Sequence, residues 1–236
     1  MKLLLIAVLA LVVGSAVPVS AAGGVSLVAV ASASTGAGTT KGGAVSVTMA
    51  VVQGDFLVVI VGINRAAHPV TAVSDSAGDA FTNRSVAAYP SVAPDAWVNV
   101  WTAQVKSTGT DLLTVHTTST RVNVVVMEYS GVAGVGNVAT AGGKSSTARV
   151  TLGLKSSSSG VAVGGSTFTG AGKGCGFQAP YSGGAMERCL GTTAAKNNVG
   201  TMAMSSGPPE GTSVTVSSGK SGGQSWAMVA VELLGA

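Results

Sequence analysis

The chain has 236 residues, of which 34 are Gly and only 9% carry charge, against a typical charged share of roughly 25%. Its formal charge of +4 is spread over Lys and Arg residues that sit singly, with no basic run interleaved with aromatics, which disfavours a nucleic-acid partner. Low charge with abundant Val, Ala, Ser and Thr excludes a disordered chain and fits many strands joined by tight turns.

Residues 1–21 (MKLLLIAVLALVVGSAVPVSA) have the three parts of a secretory signal peptide. Lys2 is the charged start, residues 3–13 the apolar core, and Val19, Ser20 and Ala21 the small-residue cleavage site. Cleavage leaves about 215 residues, enough for one β-sandwich with a real core or for two small domains. No later run of about 18 uncharged apolar residues is free of Gly, Ser and Asn, so no membrane span is expected in the mature chain. The expected address is extracellular, at or beyond the cell surface.

Residues 25–33 (VSLVAVASA) come next as a strand apolar on both faces, with Val25, Leu27, Ala29 and Ala31 on one side and Val28 and Val30 on the other. The stretch 34–43 (STGAGTTKGG) reads as a flexible linker. Residues 22–43 thus form a tethered strand ahead of a sandwich domain over 44–236. Such a strand can fold into its own sheet or insert into a neighbour's.

Further strands are expected at 44–50, 56–63, 70–75 and 80–88, the last two as a hairpin about Ser76, Ala77 and Gly78. Others are expected at 96–103 and at 111–117, which pairs towards 122–129. The run 122–131 (VNVVVMEYSG) is a buried strand of β-branched residues stopped by Tyr129, Ser130 and Gly131. The second half adds strands at 148–154, 161–168, 201–205, 213–217 and 226–236, with 131–143 as a connection. No amphipathic helix is expected outside the signal peptide. The fold class is all-β, a two-sheet antiparallel sandwich.

The two halves echo one another. Glu128 and Glu232 hold matching places in similar runs, 104 residues apart, as do Gly131 and Gly235. Lys41, Val47, Thr48 and Met49 match Lys144, Val150, Thr151 and Leu152 at 103, while Leu57 and Val59 meet Val161 and Val163 at 104. A duplication would give two similar half-sheets packed face to face over one common core.

The runs VTAVSDSAGDAFT, W-T-A at Trp101 to Ala103, MEYSGV and SWAMVAVELL resemble a jelly-roll-type β-sandwich domain of secreted and surface proteins. That resemblance implies fold and exposure, and carries no catalytic residues across. In layout and composition the chain is also similar to archaeal thread filaments and other donor-strand fibre subunits.

Catalytic and cofactor motifs are wanting. Gly219, Ser221 and Gly223 match G-x-S-x-G, but strands on both sides make a hairpin turn the better reading. The segment from Gly134 to Ala139 mimics a dinucleotide fingerprint without a following helix, and the Gly-Lys-Ser pieces at 143 and 219 lack the upstream Gly of a P-loop. His68 and His116 sit in no activating motif. Asp75, Asp79 and Asn83 surround one turn at spacings that match no EF-hand, and are read as turn-stabilising, with a weak Ca²⁺ site as the lesser alternative. No enzyme activity, cofactor or metal is therefore expected. Glu128 and Glu232 are read as solvent-reaching strand ends rather than a catalytic pair.

Cys175 and Cys189 close a 15-residue segment and, in an exported chain, are expected to be bonded, worth about 3 kcal/mol by chain entropy. Asn83-Arg84-Ser85 is the sole glycosylation sequon. Trp97, Asn99 and Trp101 alternate onto one strand face, which suits either a core position or a sugar-stacking platform. The favoured function is a non-enzymatic subunit of an extracellular filament or surface assembly. Its partners would be other copies of itself, and Val25, Leu27, Ala29 and Ala31 would form the subunit contact. The alternative is a secreted carbohydrate-binding module or adhesin that takes surface glycans through the Trp97, Asn99 and Trp101 face.

Overall fold

The computed structural model describes residues 24–34, 43–64, 70–89, 96–118, 122–155, 160–170, 184–191, 198–206 and 212–236. The expected signal peptide, residues 35–42 of the expected linker, and Cys175 lie outside them. In chain order the strands are β1 (Ser26–Ser34), β2 (Gly43–Val51), β3 (Phe56–Asn64), β4 (Val70–Ser74), β5 (Thr82–Ala88), β6 (Ala96–Gln104) and β7 (Gly109–Thr117). They continue as β8 (Val122–Ser130), β9 (Val132–Gly153), β10 (Val161–Gly170), β11 (Gly184–Gly191), β12 (Asn198–Ser206) and β13 (Ser213–Gly235), with no helix among the described residues. The all-β reading of the sequence holds, with antiparallel sheets packed face to face.

Three sheets carry these strands, in the orders β1-β8-β3-β6-β5, β2-β7-β4 and β11-β12-β10-β13-β9. In the first half the pairings are nested: β1 with β8, β2 with β7, β3 with β6. The first half is thus paired from its ends inwards and wrapped into two facing antiparallel sheets.

Among the described residues, the second half repeats the plan of every first-half strand except β4. Residues 132–143 of β9 pair with the end of β13 as β1 pairs with β8. Residues 147–153 pair with 213–219 as β2 pairs with β7. β10 lies between β12 and β13 as β3 lies between β6 and β8. β11 pairs with β12 as β5 pairs with β6. Continuity differs as well. β9 fuses the equivalents of β1 and β2, and β13 fuses those of β7 and β8, where the sequence led us to expect a connection at 131–143 and a hairpin turn near Gly219.

The halves stack through their five-stranded sheets, giving three cores in place of the single one expected. The central core lies between those two sheets, with Val58, Ile60, Val98, Val125 and Met127 facing Val163, Val229 and Val231. One outer core lies between the first sheet and β2-β7-β4, lined by Val47, Leu57, Val59, Leu113 and Val124. The other is closed by the ribbon 147–153 and 213–219 folding back over its own sheet. Val150, Leu152 and Val216 there join Phe168, Met228 and Ala230 in one buried cluster. A register shift between Gly219 and Gln224 marks the fold of that ribbon. Cover on both faces explains why β8 is apolar almost throughout and buried from Val122 to Tyr129.

Three expectations on pairing are corrected. β4 and β5 are not a hairpin: β4 pairs with β7 in the small sheet, and β5 with β6 in the large one. β7 does not pair with β8, which lies in the other sheet between β1 and β3. Leu57 corresponds to Ala162 rather than Val161, since Leu57 pairs with Glu128 and Ala162 with Glu232. A one-residue slip exchanges the faces of a strand. The sequence match had equated Leu57 of an outer core with Val161 of the central one.

Candidate functional site

β1 is an edge strand whose partner is β8 of its own chain, from Ser26 opposite Ser130 to Ser34 opposite Asn123. A bulge at Val28 shifts the register between Leu27 and Ala29. Val25, Leu27, Ala29 and Ala31 therefore do not share a face. The extra residue turns Val25 and Leu27 into the central core and Ala29, Ala31 and Ala33 onto the outer one, leaving Val28 43% exposed. The strand thus supplies side chains to both cores. Its expectation of cover on two sides is met, within the chain, through a bulge that alternation alone does not reveal.

Glu128 and Glu232 are buried, at 1% and 0% exposure, and are not solvent-reaching strand ends. Each points into an outer core at the place where a strand stops. Glu128 Oε1 accepts the Val52 N–H at 2.7 Å, just beyond β2. Glu232 accepts the Lys155 N–H through both oxygens, at 2.9 and 3.0 Å, just beyond β9, and the Asn137 N–H at 2.9 Å. A buried carboxylate without donors is costly, and the N–H groups of the exposed Val52, Asn137 and Lys155 meet that need. Burial raises the Glu128 carboxyl to about 7, opposed by the Val52 hydrogen bond and helped by the neighbouring Asp55 carboxyl. Asp55 is itself raised, by burial first, with the hydrogen bond to Glu128 acting the other way. The two glutamates thus serve different backbone donors, Val52 for one and Asn137 and Lys155 for the other.

Trp97 and Trp101 are half-buried and packed against the first outer core, and Asn99 between them is 2% exposed. Both indole Nε1 atoms and Asn99 Nδ2 are buried without a hydrogen-bond partner. The two indoles thus keep part of their surface at the solvent side, while the amide between them is buried. Trp226, which the sequence reading did not single out, is more conventionally placed: its Nε1 donates to Ser145 Oγ at 2.8 Å.

The turn after β4 is stabilised as expected, with Asp75 Oδ1 accepting the Asp79 N–H at 2.9 Å. Asn83 leaves along β5 with its side chain exposed. Asp111, from the start of β7, takes its place beside Asp75 and Asp79. Cys189 falls in β11, whose side chains lie outside the described residues, as does Cys175, so the expected disulfide falls outside them too. Gly134 to Ala139 lie within β9, a strand with no helix after it.

No protein-family model, no curated protein and no solved structure matches the chain.

Proposed function

We propose that the protein is a non-enzymatic structural subunit of an extracellular filament or surface assembly, its copies joined by exchange of β1. The observation that carries this reading is β1 itself. It is an open edge strand, SLVAVASAS, without the charged residues or Pro that usually blunt such edges. It reaches the sandwich through the Gly/Thr-rich segment 35–42 alone.

A neighbour's β1 laid on β8 in the same register would make the same main-chain bonds and fill the same places, so exchange costs little contact energy. Val25 and Leu27 contribute roughly 1.5–3 kcal/mol each when fully buried, in either chain. The equivalent strand of the second repeat, residues 132–143, is continuous with the rest of β9 and is not free to leave. Exchange is thereby confined to the first repeat.

Sedimentation of the chain at rising concentration tests this reading. Oligomers are expected from the whole chain and none from a chain lacking residues 24–34, which should bind a synthetic β1 peptide. A whole chain that stays monomeric throughout refutes it.

A further inference from the structure

Three carboxylates meet where the first outer core ends. Asp75 and Asp79 belong to the turn that carries the chain from β4, in the small sheet, to β5, in the large one. Asp111 is the third residue of β7, held in place by its pairing opposite Met49 of β2. One carboxylate oxygen from each lies within 4.8 Å of those from the other two. Two oxygens on opposite sides of one ion at about 2.4 Å would be separated by about that distance.

The hydrogen bonds divide the oxygens of each carboxylate. Asp75 Oδ1 accepts the Asp79 N–H at 2.9 Å, and Asp79 Oδ1 accepts the Lys106 N–H at 3.0 Å. Asp111 Oδ1 accepts the Ser76 N–H at 3.0 Å and the Ser76 hydroxyl at 2.6 Å. These bonds fix all three side chains through backbone donors. The other oxygen, Oδ2, of every one is buried and has no hydrogen-bond partner. Asp79 is 8% exposed and Asp111 2%, so both carboxylates are turned away from bulk solvent. The nearest described cations in sequence, Lys106 and Arg84, are engaged with the Gly78 carbonyl and the Thr102 hydroxyl.

Buried carboxylates with clear geometry on one side and no partner on the other are arranged as ligands are, with a hydrogen-bonded oxygen for orientation and a bare one for the ion. The geometry points to a divalent cation site formed by Asp75, Asp79 and Asp111, with Ca²⁺ as the ion it takes. Hard oxygen donors, and the readiness of Ca²⁺ to accept carboxylates with one or both oxygens, favour it over Mg²⁺, which demands a tighter octahedron. A cavity of about 160 Å³, lined among others by Val51, Ser76, Thr108 and Asp111, adjoins the site and has room for the waters that complete the coordination. The bound ion ties the β4–β5 turn to β7 and, through Lys106, to the segment after β6. It therefore staples the small sheet to the large one. In the second repeat the position of Asp111 is held by Val214, which pairs with Leu152 as Asp111 pairs with Met49, so the site belongs to the first repeat alone.

Calorimetric titration of the full chain, stripped with EDTA, with CaCl₂ and separately with MgCl₂ tests the assignment. One Ca²⁺ per chain is expected, with a dissociation constant on the order of 10⁻⁴–10⁻³ M, as in other extracellular sites, and weaker Mg²⁺ binding. Asp75→Asn, at the most accessible of the three, should weaken Ca²⁺ by about tenfold or more. Asp111→Asn should abolish binding, with its circular dichroism recorded alongside to confirm folding. The melting temperature of the unsubstituted chain should also rise with calcium over the same range. No heat and no rise in melting temperature at tenfold higher calcium overturns the site. Unchanged affinity in Asp75→Asn overturns the ligand set, and Mg²⁺ binding as tight as Ca²⁺ overturns the choice of ion.

Discussion

Ile60 and Gly165 hold equivalent positions in the two repeats and touch each other where β3 and β10 cross in the central core. Ile60 pairs with Val125 as Gly165 pairs with Val229, and a Cβ added at Gly165 would overlap Cγ2 of Ile60. A symmetric contact would set Ile against Ile. One repeat has given up its side chain so that the two sheets can close.

Gly165→Val should therefore destabilise the chain by about 1–3 kcal/mol through overpacking. Combining it with Ile60→Ala, which makes room on the opposite strand, should restore part of the loss. Urea unfolding of the two single variants and the double variant measures this, and a non-additive cycle is the expected outcome.

The carboxyl of Glu128 gives a pH dependence of definite sign. Its folded-state value is raised from 4.5 to about 7, so the folded chain binds more protons than the unfolded one between those values. The stabilising contribution is complete below 4.5 and is lost as pH rises through about 7. Asp55, also raised, acts in the same direction from 3.8 upwards. Denaturant midpoints across this window should fall with rising pH, and Glu128→Gln should flatten the slope.

At Glu232 the test is steric. A Cβ on Gly136 would overlap Glu232 Oε2, whereas one on Gly134 meets nothing within 4 Å. Gly136→Ala should push the carboxylate away from the Asn137 and Lys155 N–H groups, leaving the buried Glu232 short of donors at about 1–3 kcal/mol. Gly134→Ala should be close to neutral in the same melts.

The tryptophans separate by hydrogen bonding. Trp101 Nε1 is buried without a partner, so Trp101→Phe should be nearly neutral despite the loss of ring area. Trp226→Phe removes the bond to Ser145 Oγ and should cost about 0.5–1.5 kcal/mol. Thermal melts of the two variants side by side decide it.

Much of this fold is written in local pattern. The β-branched run of β8 and the echo of Glu128 in Glu232 are readable because period and spacing are local properties. The bulge at Val28 is not, since it is defined only against β8. That single residue redistributed Val25, Leu27, Ala29 and Ala31 between two cores. β4 and β5 looked like a hairpin because a short turn joins them, and nothing local says that they enter different sheets. Asp111 was missed beside Asp75 and Asp79 because β7 reaches that turn only through its pairing with β2 and β4. A signal was present: Asp111 shares the inward face of its strand with Leu113 and Val115, an acidic residue where alternation calls for an apolar one.

The exchange of β1 is tested most directly across its pairing with β8, where Ser26 faces Ser130 and both are half-buried. Both can be replaced, as Ser26→Cys with Ser130→Cys, oxidised at high protein concentration and separated by denaturing electrophoresis, with each single variant as background. A covalent ladder of linked chains is the predicted result. Monomers closed only by an internal bond, at every concentration, would contradict it.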